Sequence, residues 1–261
     1  MESTDPLLLA AAFGAALLAG AGNAVAGGGT NLSFPILVWL GLPPVAANAT
    51  NGVGLWPGSV GAAWSYRGRI AEADRRWWWL VVPSVIGGGL GAWLLLSLPP
   101  RWFGAIAPYL VIGASILVAV EPTVRSRLRT HLGANAEGSR GGVAGALVAQ
   151  LGIALYGGYF GAGMGILTLS ALGLMGMDDI QRANGFKNML TAAIKGVAVL
   201  YFVVAGVLVW PVALAMAAGS ALGGYVSGLL AQKVSGTTLR WLVVAMGVTM
   251  GVAMLVTSSG G

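Results

Sequence analysis

Read along its length, the chain alternates long apolar stretches with short polar interruptions. Apolar runs of membrane-spanning length cover 6–26, 45–66, 77–98, 102–120, 141–159, 183–206, 209–231 and 239–257. A helix needs about 20 apolar residues to cross a bilayer, so these runs predict eight long transmembrane helices. Two further apolar stretches, 30–41 and 163–175, are short. At ~1.5 Å per residue each covers about 18 Å, well under the ~30 Å hydrocarbon core. Both follow glycine clusters, AGGGTN at 26–31 and GGYFGAGMG at 157–165, and are expected to be re-entrant or discontinuous helices. Irregular backbone at membrane depth is tolerated only where protein buries it or a wet cavity borders it. The expected fold class is an all-α polytopic membrane protein.

The same order of parts occurs twice. A long helix leads to a glycine break, a short segment, a helix with a polar start, and two long helices. Local matches follow that order: GLPPVAANATN (41–51) resembles GMDDIQRANGFKN (176–188), LGAW (90–93) resembles LGGY (222–225), and Arg-Trp at 101–102 resembles Arg-Trp at 240–241. The expected organisation is a first transmembrane repeat over 1–120, a cytoplasmic linker over 121–140 and a second repeat over 141–261.

Composition agrees with a membrane protein: 57% of the 261 residues are hydrophobic and 8% charged, against about 25% charged in soluble domains. The 43 glycines suit helices that pack closely in lipid. Glu2 and Asp5 precede the first apolar run, where a secretory signal would be basic, so this run reads as a retained helix. The net charge of +6 does not indicate a nucleic-acid partner, because the basic residues lie in short loops between apolar runs. The chain has no cysteine, hence no disulfide and no cysteine metal site, and no cofactor is indicated.

Four arginines in 67–76, Arg125, Arg127, Arg129 and Arg140 in 121–140, and Lys233 and Arg240 before the last helix are expected to be cytoplasmic. The turn at 206–210 is uncharged and fits the outside. If each short segment pairs with its preceding helix in a return trip, both termini lie outside and the repeats are inverted. If each is re-entrant alone, the repeats are parallel. Trp77, Trp78 and Trp79, directly after Arg75 and Arg76, read as an interfacial aromatic belt.

All eight carboxylates (Glu2, Asp5, Glu72, Asp74, Glu121, Glu137, Asp178 and Asp179) lie at termini, loops or segment edges. The usual acidic proton relay of pumps and a dehydrated cation site are therefore not expected. His131, the one histidine, falls in the linker. No nucleophile–base pair or metal set is visible, so an enzyme is not expected.

The stretch NGFKNMLTAAIK, 184–195, is the exception to the apolar rule. Asn184, Asn188, Thr191 and Lys195 recur at i, i+4, i+7 and i+11 and share one helix face, with Lys187 beside them. Lys187 is close enough to the helix start to snorkel. Lys195 lies about three turns in, where a charge costs at least ~2.5–3.5 kcal/mol on insertion scales. It either reaches helix-end carbonyls at the glycine breaks or faces a wet cavity as an anion-binding lysine. A lysine binds oxyanions as a compact point charge. The first repeat offers neutral counterparts in Asn48, Thr50 and Asn51, with Ser59 further along, and Asn31 and Ser33 follow the first glycine break. Gln150 is a polar residue inside a span, suited to an interhelical hydrogen bond.

These segments resemble the sulfite exporter TauE/SafE family of bacterial membrane proteins. The resemblance is carried by GGGTNLSFPILVWLGLPPVAANATN, PGSVGAAWSYRGRI and FGAGMGILTLSALGLMGMDDIQRANGFKN. The family pattern is a glycine-rich break, a short apolar run, Gly-Leu-x-Pro, then a small-polar cluster opening the next helix. One departure is Asn48-Ala49-Thr50-Asn51, where many members resemble Gly-Thr-Ser. The resemblance implies a bacterial inner-membrane permease of about eight helices, for sulfite, sulfonates such as sulfoacetate, or related organic anions.

The expected function is a small-anion transporter, working in export, with Lys195, Lys187, Asn184, Asn188, Thr191, Asn48, Thr50, Asn51 and Asn31 as substrate-contact candidates. The alternative is a non-transporting membrane scaffold or assembly partner, its polar stripe a helix–helix interface. The lipid bilayer and a small anion are the expected partners, and a homodimer is left open.

Overall fold

A computed structural model describes residues 5–26, 28–132, 140–177, 179–230 and 236–259, with some helix-end side chains left undescribed. Glu2, Glu137, Asp178 and Lys233 lie outside the described residues, as do the side chains of Arg125, Arg127, Arg129, His131, Arg140 and Arg240.

The described residues form helices and connecting turns. The first repeat holds α1 (Pro6–Ala26), the short α2 (Gly29–Trp39), α3 (Pro44–Ser65), a one-turn α4 (Arg67–Ala71), a 3-10 turn (Arg75–Leu80), α5 (Val81–Ser97) and α6 (Pro100–Leu132). The second holds α7 (Arg140–Tyr159), the short α8 (Met164–Leu174), α9 (Ile180–Ala205), α10 (Trp210–Leu230) and α11 (Gly236–Ser259). All eight expected long helices and both short ones are present, and α6 runs on through twelve residues of the expected linker, to Leu132. By length and composition Pro6–Asn23, Arg75–Ser97, Pro100–Val120 and Gln181–Ala205 are able to cross a membrane. Leu7, Val148, Leu200, Val204 and Leu214 are exposed, forming an apolar outer surface of the kind lipid covers.

The repeats interleave. Carbonyls of Phe13 and Leu17 on α1 face Gly219 and Gly223 on α10; those of Leu151 and Leu155 on α7 face Gly87 and Gly91 on α5. Gly20 (α1) packs on Ser220 (α10), which packs on Gly58 (α3); Gly158 (α7) packs on Gly88 (α5), which packs on Ile194 (α9). These α1–α10–α3 contacts recur at equivalent positions in α7–α5–α9. Only glycine lets the backbones come this close: a Cβ at Gly158 would collide with the Gly88 carbonyl, and one at Gly223 with the Leu17 carbonyl.

Equivalent helices meet in antiparallel pairs, and this fixes the symmetry. Along α3 and α9, Gly52 meets Phe202, Trp56 meets Gly196, and Tyr66 meets Gly185. Along α6 and α11, Ser115 meets Gly247 and Ile112 meets Gly251. A two-fold axis parallel to the helices would make equivalent helices run parallel. The axis is therefore perpendicular to them, in the membrane plane, and the repeats are inverted. The reason lies in the short helices: Ser33 on α2 donates to Asn51 on α3, which sets α2 antiparallel to the first half of α3. Each long helix and its short follower thus make a return trip.

One end of the bundle carries Arg67, Arg69, Arg75, Arg76 and Arg182. There Arg182 joins the start of α9 to Glu72 (4.0 Å) and to Asp179 (4.0 Å). The tryptophan run adjoining this end divides its work. Trp79 is exposed, whereas Trp77 is buried with Ile70, Leu80 and Phe186, and Trp78 meets Phe186 edge-on at 5.8 Å. A belt accounts for Trp79 but not for Trp77, because the 3-10 turn points successive side chains in different directions.

Candidate functional site

α9 enters at the arginine-rich end. Asp179 caps it, its carboxylate accepting from the backbone N–H of Gln181 (2.9 Å) and Arg182 (3.2 Å). The backbone N–H of Arg182, then that of Gln181, hold this carboxyl below its ordinary range. The polar face follows. Lys187, Asn188, Thr191 and Lys195 all line one narrow, partly open cavity.

The opposite wall comes from α3, through Gly58, Ser59 and Ala62, with Asn23 from the last turn of α1. Gly161, Met164 and Gly165, where α7 breaks into α8, complete it. The α3–α9 pairing gives the depth of each lysine. Lys195 adjoins the crossing where Trp56 packs on Gly196 and its indole N–H donates to the Ala192 carbonyl at 3.0 Å. That is the middle of both helices. Lys187 lies two turns nearer the arginine-rich end, close to where Tyr66 meets Gly185. Beyond the crossing Leu55 and Phe202 are buried.

The lining is rich in donors and, among the described residues, holds no carboxylate. Asn188 Nδ2 and Thr191 Oγ1 are buried without a hydrogen bond among the described residues, and no ion pair or hydrogen bond there engages Lys195. A buried donor without an acceptor costs about 1–3 kcal/mol. Two such donors converging on one cavity with two ammonium groups form a setting for an oxyanion. α8 adds to it: its first residues border the cavity, and the N-terminal end of a helix carries partial positive charge. The break that places it depends on Gly161 (φ 79°) and Gly163 (φ 72°), a backbone region that other residues rarely adopt.

Comparison with known proteins decides the family. The sulfite exporter TauE/SafE family matches residues 12–254. The chain belongs to the sulfite exporter TauE/SafE family. It is 26% identical over 253 residues to a probable membrane transporter protein of Haemophilus influenzae, covering 95% of this chain and 94% of that one. It is 26% identical over 259 residues to the probable membrane transporter protein YfcA of Escherichia coli K12, covering 98% and 93%. It is 27% identical to the probable membrane transporter protein ORF9 of a Sinorhizobium species, covering 95% and 92%. No solved structure matches the chain. This TauE/SafE chain is accordingly a multi-pass protein of a membrane transporter family.

The remaining candidate residues in this TauE/SafE protein lie elsewhere. Asn184 is half-buried one turn into α9 and is not part of the cavity wall. Asn48 Nδ2 donates to the Tyr159 carbonyl at 2.9 Å, closing the end of α7. Thr50 Oγ1 accepts from the Val209 N–H at 3.1 Å, fixing the turn before α10. Asn51 accepts from Ser33. Asn31 is fully buried and packs near Gly247 of α11, with both amide atoms unpartnered among the described residues. In this conformation these first-repeat residues do not complete the cavity; Ser59 and Asn23 do. Ser59 is the residue further along the first-repeat stretch, and Asn23 is not among the candidates of the sequence pattern. Its signal is a polar residue one turn before a glycine cluster, and its Oδ1 accepts from the Gly29 N–H at 2.8 Å, holding the start of α2. Gln150 makes the interhelical bond expected of it, donating to Ser84 Oγ at 2.8 Å.

Proposed function

We propose that the protein transports small anions, chiefly sulfite, sulfonates such as sulfoacetate, or related sulfur-containing organic anions, outward across a bacterial inner membrane. The observation that carries this reading is the donor-rich, carboxylate-free cavity around Lys195 at the middle of the bundle. Lys195 supplies the central charge and Lys187 a second one toward the arginine-rich end, which is the cytoplasmic entrance on the positive-inside rule. Asn188, Thr191, Ser59 and Asn23 offer uncharged contacts. The family description names a sulfite exporter, and sulfite and sulfonates present the oxygens that such donors suit. An inside-negative potential favours export by about 2.3 kcal/mol per charge per 100 mV. The polar face borders a cavity instead of packing dry on another helix, which favours transport over a scaffold.

The test is a thermal-shift panel on purified protein with sulfite, sulfate, thiosulfate, sulfoacetate, taurine, acetate and chloride, on wild type and Lys195→Ala. A ligand near 100 times its dissociation constant stabilises by about 2.7 kcal/mol. The expected result is that a sulfur oxyanion shifts wild type and not Lys195→Ala. A shift equal in both proteins, or none with any anion, rejects the site.

A further inference from the structure

The cavity wall runs from the middle of the bundle toward the arginine-rich end, from Lys195 and Gly58 to Lys187 and Ala62, yet it contains pairs of residues related by the internal two-fold. α3 and α9 superpose with Gly58 on Ile194, as their matching contacts with Ser220 and Gly88 require. The same register puts Ser59 on Lys195. α1 and α7 superpose with Gly20 on Gly158, which puts Asn23 on Gly161. All four of these residues line the cavity. A residue and its symmetry mate border one space only where the two-fold axis passes close by. The inner end of the cavity therefore lies near the axis.

The rest of the wall has no such pairing. Lys187, Thr191 and Ala62 have as mates Asn51, Leu55 and Ala198, all three buried. We infer that the protein has a second conformation in which the repeats exchange roles, opening a path to the opposite end lined by Asn51, Leu55 and Ala198. The Ser59–Lys195 and Asn23–Gly161 pairs remain at its inner end. The inference rests on the transporter reading above and adds the half of the route that is closed in this structure.

Two features support the exchange. The interfaces that would have to slide are glycine-lined and nearly identical in the two repeats, so the two arrangements are close in packing. The closed end is held by bonds that the other end lacks: Asn48 to the Tyr159 carbonyl and the Val209 N–H to Thr50. Asn184, the mate of Asn48, makes no hydrogen bond among the described residues, and Phe186, the mate of Thr50, has no side-chain donor or acceptor. The inverted repeat thus carries an asymmetric latch, as required if one conformation is to be favoured over its mirror.

The absence of cysteine makes the test direct. Single-cysteine variants Ala62→Cys, Ser59→Cys, Leu55→Cys and Ala198→Cys of the full chain are labelled with a membrane-impermeant maleimide in vesicles of both orientations, with and without sulfite. The expected pattern is Ala62→Cys labelled from the arginine-rich side alone, Leu55→Cys and Ala198→Cys from the opposite side alone, and Ser59→Cys from both. Ala198→Cys adds a single atom, so it guards against a folding defect at Leu55→Cys. Failure of both Leu55→Cys and Ala198→Cys to label from the opposite side overturns the inference, even if sulfite protects Ser59→Cys and the anion reading survives. The expected two-sided pattern with no protection by sulfite upholds the second conformation and counts against sulfite as the anion.

Discussion

The indole N–H of Trp56 on α3 donates to the backbone carbonyl of Ala192 on α9 at 3.0 Å, one turn from Lys195. The ring fits there because Gly196 has no side chain; a Cβ would stand 3.3 Å from Trp56 Nε1. This contact sets the crossing of the two symmetry-related helices that carry most of the cavity. Trp56→Phe keeps an aromatic side chain but loses the N–H and one of the two indole rings, so the expected loss is that of the bond, about 0.6 kcal/mol and at most ~1.7, plus a smaller packing cost for the missing ring. Denaturation in detergent measures it. A loss of several kcal/mol would mean that packing of the full indole against Gly196, and not the hydrogen bond, organises the crossing.

Lys195 sets binding against stability. Burying an ammonium group in mid-bundle costs at least about 2.5–3.5 kcal/mol on insertion scales, and an anion offsets that cost when bound. Lys195→Met keeps much of the side-chain length and removes the charge. It is expected to raise the melting temperature of the ligand-free protein while abolishing any shift with sulfite or sulfoacetate. A drop in the ligand-free melting temperature would instead assign the ammonium a structural bond.

The helical plan was legible in the sequence, and the wiring of its polar residues was only half so. Apolar run length located all eight long helices, and glycine clusters located α2 and α8, because length and backbone freedom are local properties. The polar face of α9 was legible because 3.6-residue periodicity is local too: Lys187, Asn188, Thr191 and Lys195 meet in one cavity. Asn48, Thr50 and Asn51 follow the same local rule on α3, yet they bond to α7, the α10 turn and α2. Which neighbour a polar face meets is decided by packing of distant segments. Asn23 carries only the local signal of a polar residue before a glycine cluster, and lines the site only after α1 and α3 come together. The extension of α6 to Leu132 was missed because charge marks where lipid ends, not where a helix does.

The glycine contacts give a stability prediction with an internal control. At Gly158 a Cβ would strike the Gly88 backbone, whereas at Gly152 on the same helix nothing lies within 4 Å. Gly158→Ala is expected to push α7 from α5 and to cost about 1–3 kcal/mol. Gly152→Ala should be neutral or stabilise by roughly 0.5–1 kcal/mol through reduced backbone freedom. Thermal melts of both variants check this. Equal effects would mean that α5 and α7 are not packed on their glycines.

The Asp179 cap has a pH signature. Its carboxyl titrates below the ordinary 3.8 because the backbone N–H of Arg182 and that of Gln181 bond the ionised form. A carboxyl depressed on folding adds stability that is complete above its unfolded value and is lost as pH falls through the folded value. Asp179→Ala should therefore melt below wild type at pH 7, and the gap should narrow only below about pH 3.8. A gap that narrows already between pH 7 and 5 would assign the effect to another group.

The latch on the closed end gives the last prediction. Asn48 and Thr50 each tie α3 to backbone at that end, Asn48 to the last carbonyl of α7 and Thr50 to the turn before α10. Neither touches the cavity. Removing a bond that exists in one conformation and not in the other shifts the balance by the worth of that bond. At about 0.6 kcal/mol each in a membrane, Asn48→Ala with Thr50→Val should raise the population of the oppositely open state several-fold. Maleimide labelling of Ala198→Cys from the far side should speed up by the same factor, and labelling of Ala62→Cys from the arginine-rich side should slow. If Asn48 and Thr50 only stabilise the fold, the double variant lowers the melting temperature and leaves both labelling rates alone. Opposite changes in the two rates are expected only if these residues bias a two-state element.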